Sequence, residues 1–300
     1  MADAFLVDTG LVVVHGPDAA SFLQSQLSQD LDPLGDGTGV EALLLQPQGK
    51  LVAPLFVLRV SEGEWWCLCD AGFGTAVAEG LRRFRVRVRA EIDDRSGSSA
   101  RLAVRARGGT RDDAAAVLGA APGDTVGGHG AWRDARVVRG VWAPAPDGID
   151  VVGPRATVAA ARDALVAAGF AVGGEDGYEA ARVAAGVPRM GRDLDERTIP
   201  QEAFLERRAV SFTKGCFVGQ ELVCRIDARG HVNRLLRRVR AADGPVEAGA
   251  EVVAGGRAVG RVTSAAGREG LAMVRREVEP PARVVLDGPA GRRDATVEAL

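Results

Sequence analysis

The hydrophobic pattern of the chain changes near residue 233, and this change limits which folds are available to it. From there on, short runs rich in valine and alanine lie between Gly, Pro and Asp turns, as in VRAADGPVEAGAEVVAGGRAVGRVTSAAG (239–267). Short runs separated by such turns predict the strands of a small β-barrel or sandwich. We therefore predict a C-terminal β-domain over residues 233–300, with a boundary near Asn233.

The first 232 residues instead alternate strand-like and helix-like patterns. LVVVH (11–15) predicts a strand, and Asp18 is placed to cap a following helix whose apolar face carries Phe22 and Leu23. The run 40–60 is interrupted by Pro-Gln-Gly and predicts two strands joined as a hairpin. Repetition of these patterns predicts two α/β units within residues 1–232, and an α+β protein overall.

Composition excludes several classes of function. The 300 residues are 46% hydrophobic and 26% charged, which is typical of a soluble globular protein with a large core. A formal net charge of −2 argues against strong direct binding to nucleic acid or to an anionic membrane by the whole molecule. Four cysteines are too few for a secreted disulfide framework, and no run of about 18 apolar residues occurs, so we expect a cytoplasmic protein with reduced thiols.

Arginines recur at every second position from Arg83 to Arg89. In RVRVRAEI (85–92) they alternate with Val86, Val88 and Ala90, a pattern that predicts a half-buried strand with one arginine-lined face. A solvated face that discourages edge pairing is the preferred interpretation. The alternative is a site for a polyanion such as RNA phosphates or a polyglutamate tail.

The remaining candidate ligands give no metal site. Three histidines lie far apart without ligand spacing, which argues against a zinc enzyme. Cys67 and Cys69 form a C-x-C inside a predicted strand, and no second pair at metal spacing accompanies them. We interpret them as buried thiols that pack like small hydrophobic residues.

Cys216 lies in a different setting, in the segment KGCFVGQE (214–221). The apolar residues that follow it predict a helix starting near Val218 or Gly219. Unpaired amides at the helix start and the ammonium of Lys214 would then stabilise a thiolate. The competing interpretation is an ordinary cysteine in a glycine-containing turn, and local features alone favour that interpretation.

The segment KGCFVGQE resembles the K-G-C-aromatic-x-G-Q-E signature of the folate-binding YgfZ family, which includes a mitochondrial counterpart active in late iron–sulfur cluster assembly. Further blocks of the chain resemble that family in the same order: FLQSQLSQDL (22–31), QPQGKLVAPLFVLR (46–59), ARVAAGVPRMGRDLDERTIPQEAFLE (181–206), RGHVNR (229–234) and AVGRVTSA (258–265). The resemblance therefore extends over essentially the whole chain.

This resemblance implies a binding protein for tetrahydrofolate or a one-carbon derivative that serves the maturation or repair of iron–sulfur enzymes. Its partners would be those enzymes or cluster-assembly proteins. Cys216 and Lys214 would be the catalytic pair, supported by the remaining motif residues Gly215, Gly219, Gln220 and Glu221. No permanently bound metal is expected, because the four cysteines do not form a constellation that could hold a cluster.

The chain also resembles the wider group of glycine cleavage T-proteins. That resemblance implies two intertwined ferredoxin-like α/β subdomains around a folate channel, followed by a C-terminal β-barrel. It also implies a set of cofactor-binding residues: Glu202, Arg182, Arg229 and Arg234. For Arg182 the resemblance leaves two roles open, positioning the folate or bracing the channel.

Two other functions remain open. One is a folate-dependent aminomethyltransferase of the T-protein type. Ala53 and Pro54 replace the acidic pair of that group, so the electrostatic support for a developing positive charge is missing, and we favour the accessory protein. The other is a non-catalytic scaffold or a tRNA-modification partner that uses the arginine-lined face.

Overall fold

The computed structural model describes residues 4–105, 110–140 and 148–300. These residues divide into two compact units. Unit 1 takes the described residues up to Tyr178 together with Arg208–Gln220, and unit 2 takes Glu179–Arg207 and Glu221–Leu300. The predicted boundary near Asn233 marks the start of the barrel strands, whereas the unit that contains the barrel also includes the preceding segments 179–207 and 221–233.

Unit 1 contains two mainly antiparallel sheets. Its strands, numbered along the chain, are β1 Ala4–Val7, β2 Thr9–His15, β3 Thr38–Leu45, β4 Leu51–Ser61, β5 Glu64–Asp70, β6 Glu91–Asp94, β7 Ser99–Val104, β8 His129–Trp132, β9 Ala135–Arg139, β10 Ile149–Pro154 and β11 Val172–Gly173. One sheet has the order β11-β1-β7-β10-β9-β8 and the other β3-β4-β5-β2-β6. The chain enters the first sheet with β1, builds the second with β2 to β6, and then returns, so the two halves are intertwined.

Helices occur in both units, and the first four along the chain pack on the sheets of unit 1. In chain order the helices are α1 Ala19–Gln26, α2 Gly74–Arg82, α3 Thr110–Leu118, α4 Arg155–Ala167, α5 Glu175–Ala184, α6 Glu206–Ala209 and α7 Gln220–Arg229. Phe22 and Leu23 of α1 pack with Leu81 of α2 in the core of the five-stranded sheet, and Leu165 of α4 lies in the core of the other. Each such side chain contributes about 1.5–3 kcal/mol by its burial.

The C-x-C pair lies inside the first of these cores. Cys67 and Cys69 on β5 are both buried, as the strand pattern predicted. Burial raises the pKa of Cys67 to about 12, so this thiol is neutral at physiological pH. The interpretation of the pair as small hydrophobic residues is confirmed.

Unit 2 ends in a closed β-barrel of six strands, which confirms the β-domain predicted from the turn pattern. Its strands are β12 Arg234–Ala241, β13 Glu251–Ala254, β14 Arg257–Ala266, β15 Glu269–Arg275, β16 Ala282–Gly288 and β17 Gly291–Glu298. They close in the antiparallel order β12-β15-β14-β13-β16-β17. Valines such as Val239, Val252 and Val274 fill the interior.

The predicted arginine-lined strand over 85–92 was wrong. Regular strand structure begins only at Glu91, and Arg87 adopts a left-handed backbone angle of φ 59° that no strand contains. Val86 is 73% exposed, where a half-buried strand would cover it. The arginines hold an irregular loop instead: Arg85 pairs with Glu91 at 2.8 Å.

Asp18 takes part in the same loop. Its carboxylate accepts hydrogen bonds from the backbone nitrogen of Arg89 at 2.9 Å and from its guanidinium at 2.7 Å. Asp18 is the N-cap residue of α1, as predicted, but its carboxylate accepts no capping hydrogen bond from the helix, so the predicted capping by its side chain was wrong. The carboxylate binds Arg89 instead, and the sequence pattern did not reveal this contact.

No helix in the described ranges is long and apolar enough to cross a membrane.

His129 makes unit 1 sensitive to acid. Its Nε2 donates a hydrogen bond to the carbonyl of Arg59 at 3.1 Å, and burial, together with the charge of Arg136, lowers its pKa to about 4. The unfolded chain, in which a histidine has a pKa near 6.5, therefore binds the proton first as the pH falls. Stability from this residue is present above pH 6.5 and is lost towards pH 4.

We expect the free energy of unfolding to fall by up to roughly 3 kcal/mol across this interval because of His129. His129→Gln should flatten the profile, whereas the exposed His231→Gln should leave its slope unchanged. Urea denaturation between pH 7 and 4.5 measures this. Parallel profiles for the wild type and His129→Gln would contradict the assignment.

Candidate functional site

Lys214 and Cys216 lie in the loop of unit 1 that joins α6 to α7. Cys216 is exposed, and α7 begins at Gln220, four residues after it. The start was predicted near Val218 or Gly219. It comes slightly later because Gly219 has a left-handed φ of 81°, which a helix does not continue through. Cys216 therefore precedes the helix and is not part of its first turn.

The ammonium of Lys214 is bound by backbone carbonyls at the C-terminal end of α1. Its Nζ donates hydrogen bonds to the carbonyl oxygens of Gln24 at 2.7 Å, Leu27 at 2.8 Å and Gln29 at 2.7 Å. The final carbonyls of a helix lack partners within the helix and carry its negative dipole end, so a cation satisfies them well. None of these acceptors was identified from the sequence, because a backbone carbonyl leaves no residue-type signal.

Partial burial changes the acid–base behaviour of this lysine. Burial lowers the pKa of Lys214 to about 8, and the nearby carboxylates of Asp30 and Asp32 oppose that shift. The ring of Phe217 lies 5.7 Å from Nζ, which adds a cation–π contact.

The two glycines of the motif have different structural requirements. A Cβ atom on Gly219 would lie 2.5 Å from the carbonyl oxygen of Gln46 and 2.9 Å from the Cβ of Leu45, at the turn between β3 and β4. Nothing lies within 4 Å of a Cβ placed on Gly215. Close packing therefore requires glycine at 219, whereas position 215 has room for a side chain.

Side chains fix the rest of the loop. The Oε1 of Gln220 accepts a hydrogen bond from the backbone nitrogen of Phe217 at 3.2 Å. Ser28, which sequence reasoning missed, holds the loop's start: its backbone carbonyl accepts from Ser211 nitrogen at 2.9 Å, and its hydroxyl donates to the carbonyl of Ala209 at 2.6 Å. Its place in the FLQSQLSQDL block is the one signal that could have identified it.

Glu202 and Arg234 form an ion pair within unit 2. Arg234 Nε lies 2.9 Å from Oε1 of Glu202 and Nη2 lies 3.2 Å from Oε2, which also accepts from the backbone nitrogen of Ile199 at 3.1 Å. The hydrogen bond to Glu202 raises the pKa of Arg234. Glu202 is buried, whereas the side chain of Arg234 is 41% exposed and so has freedom to move. Two predicted cofactor-binding residues are thus in direct contact.

Arg182 is buried and fully hydrogen-bonded inside unit 2. Its Nε and Nη2 bind both oxygens of Glu179 at 2.7 and 2.6 Å, and Nη1 binds Asp193 at 2.8 Å and the carbonyl of Val187 at 2.9 Å. Nη2 also donates to the hydroxyl of Ser264 on β14 at 2.6 Å. A guanidinium has five N–H donors, and all are used here.

This arrangement favours bracing over ligand contact for Arg182. Burial opposes the ionised carboxylate, but the hydrogen bonds and charge of Arg182 lower the pKa of Glu179 overall. Breaking a buried pair of this kind costs about 3–5 kcal/mol. A direct bond from Arg182 to a cofactor would have to displace one of these partners.

The remaining predicted residues are on or near the surface. Arg229 and Glu221 are exposed on α7, and Cys224 on the same helix is half-buried. Ala53 and Pro54, which stand where the T-protein group carries acids, are buried within β4. Across the described parts of the chain, no group of three or more His, Cys, Asp or Glu side chains is arranged to hold a metal ion.

The chain is similar in sequence to several known proteins. The family model described as the CAF17 C-terminal beta-barrel domain matches residues 233–288. The human iron–sulfur cluster assembly factor IBA57 is 29% identical, over 88% of this chain and 74% of that protein. The tRNA-modifying protein YgfZ of Cronobacter sakazakii is 25% identical, over 77% of this chain and 68% of that protein.

A solved structure shows the fold. Glycine cleavage system aminomethyltransferase T from Bartonella henselae superposes with a TM-score of 0.86 at 21% identity, covering 100% of this chain and 86% of that one. The predicted α+β fold of the T-protein type with a C-terminal β-barrel is confirmed.

The motif glycines provide a matched test of the loop geometry. Gly219→Ala should lower the free energy of unfolding by about 1–3 kcal/mol, because alanine is strained in the left-handed region and its Cβ would meet the β3–β4 turn. Gly215→Ala should change it by less than about 0.5 kcal/mol. Chemical denaturation of both variants measures the difference. Equal stabilities would show that the loop does not pack against the turn.

Proposed function

We propose that the chain belongs to the family of YgfZ and IBA57 proteins and is a tetrahydrofolate-binding accessory protein in the maturation or repair of iron–sulfur enzymes; its similarity to those proteins and its T-protein fold support this. Cys216 is its functional thiol. The observation that carries the proposal is the contrast between this exposed cysteine and the fixed backbone on both sides of it. An exposed thiol on a fixed loop is placed to react with, or bind, a group on a partner protein.

Glu202 supports the folate part of the proposal. The amino-pyrimidine edge of a pterin presents neighbouring N–H donors, and a carboxylate accepts such a pair with both oxygens. Glu202 is buried, and its main side-chain partner, Arg234, is partly exposed. On ligand binding, Arg234 would share the carboxylate with the pterin or move into solvent, where the anionic tail of the folate offers it another partner.

Titration calorimetry tests folate binding. We expect the wild type to bind tetrahydrofolate and Glu202→Gln to bind it about 10- to 100-fold more weakly, the effect of losing a charged acceptor of two hydrogen bonds. Glu277→Gln, an exposed residue after β15, is the matched control and should bind normally. Equal affinity of the wild type and Glu202→Gln would remove Glu202 from the site, and no heat with either would refute folate binding.

The two cysteines near the motif offer a matched test of the thiol. In cells that lack the endogenous protein, we expect Cys216→Ser to fold normally but to leave a cluster-dependent enzyme at about a tenth of its complemented activity or less, since serine is a poor substitute for a thiolate. Cys224→Ser, in the half-buried position on α7, should complement fully. Full complementation by Cys216→Ser would overturn the role of the thiol.

An aminomethyltransferase is the second candidate, favoured by the structural likeness to the Bartonella enzyme. The buried Ala53 and Pro54 count against it, because neither offers a carboxylate to a developing positive charge. Production of methylene-tetrahydrofolate from an aminomethylated lipoyl carrier distinguishes the two functions: the accessory protein should give no turnover above background.

A tRNA-modification partner is the third candidate, and the similarity to the tRNA-modifying protein YgfZ of Cronobacter sakazakii supports it. The arginine-lined strand face that was expected to serve this function does not form, because residues 83–90 are an irregular loop whose Arg85 and Arg89 pair with acidic side chains.

A further inference from the structure

All three N–H donors of the Lys214 ammonium have hydrogen-bond acceptors. Three backbone carbonyls lie 2.7–2.8 Å from Nζ, and an ammonium has three N–H donors. A fourth acceptor, the side-chain Oε1 of Gln24, lies further away at 3.3 Å. The carbonyls come from the last turn of α1 and the residues just after it, so one side chain joins two segments that are about 190 positions apart in sequence.

The segment that supplies the carbonyl acceptors is held in place by further hydrogen bonds. The amide of Gln24 folds back over the end of α1: Nε2 donates to Asp30 at 2.7 Å, and Oε1 accepts from the backbone nitrogen of Leu31 at 2.8 Å. These bonds fix the turn that brings the carbonyls of Leu27 and Gln29 alongside that of Gln24. The ammonium therefore binds a preformed group of acceptors.

We propose that Lys214 is a positioning residue that fastens the Cys216 loop to the C-terminal end of α1. Two fixed points then hold Cys216 between them. Lys214 is two residues before it, and Gly219, packed against the β3–β4 turn, is three residues after it. The exposed thiol is presented in one place because the backbone on either side cannot shift.

The choice of lysine over arginine supports this role. The chain has 38 basic residues, of which Lys50 and Lys214 alone are lysines. A planar guanidinium suits a carboxylate, as Arg182 and Arg234 show in unit 2, but its donors point outward from a flat fork. Three carbonyls that converge on one point require a compact ammonium.

Amide hydrogen exchange tests the anchor. Lys214→Met keeps the side chain as far as Cε and removes its donors, and we expect the hydrogen-bonded amides of residues 211, 214 and 217 and of 27, 28 and 31 to exchange at least about tenfold faster, while those of the barrel stay unchanged. Lys214→Arg should lose part of this protection, because it keeps the charge but not the geometry. Lys50→Met is the control and should match the wild type.

Alkylation of Cys216, with Cys224 as the internal reference, separates the anchor from an effect of charge. The anchor predicts that the midpoint of the pH–rate profile stays within about 0.3 pH units in Lys214→Met. Unchanged exchange protection in that variant would overturn the proposal, as would a midpoint raised by about one pH unit with protection retained.

Should Lys214→Met fail to fold, the wild type still provides a test, because exchange of its hydrogen-bonded amides at 211, 214 and 217 at the rate of a free loop would refute an anchored loop. Neither measurement needs folate or a cluster. The anchor and the proposed function therefore fail separately.

Discussion

One charged contact organises the cysteine loop: the ammonium of Lys214 against three backbone carbonyls at the end of α1. The ammonium needs hydrogen-bond acceptors, and the carbonyls need hydrogen-bond donors. The end of a helix leaves carbonyls without partners, and a partly buried ammonium without acceptors would be strongly destabilising. Bringing them together satisfies both and places the following residues, including Cys216, at a defined point on unit 1. Ser28, Gln220 and Gly219 then fix the loop on its other sides.

Unit 2 also contains a buried cation that requires acceptors, in this case a guanidinium. Arg182 is buried among Glu179, Asp193 and Ser264, where a flat fork of donors matches two carboxylates and a hydroxyl. This contact ties α5 and the loop after it to barrel strand β14. The pair Glu202–Arg234 uses the same fork geometry but leaves the arginine partly exposed. A ligand can therefore compete for Glu202 far more easily than for the partners of Arg182.

The sequence predicted those features that side-chain types encode. Turn residues after Asn233 predicted the barrel, and the strand pattern around Cys67 and Cys69 predicted the burial of both thiols. The strand predicted from alternation at 85–89 was wrong, because Arg85 pairs with Glu91 and Arg89 pairs with Asp18, and these contacts hold a loop. A periodic pattern carries no information about such pairings. The motif itself identified the cysteine loop, yet not the role of its lysine. The acceptors of Lys214 are backbone carbonyls, which any residue type can supply.

Side-chain NMR of the wild type labelled with ¹⁵N-lysine observes the anchoring ammonium of Lys214 itself. With Lys50 as the other lysine, one Lys50→Arg variant assigns both signals. If Lys214 anchors the cysteine loop, its ammonium protons should exchange slowly with water at pH 6, and its ¹⁵Nζ should titrate with a pKa of about 8. Ammonium protons that exchange as fast as those of a free lysine side chain would contradict the anchor.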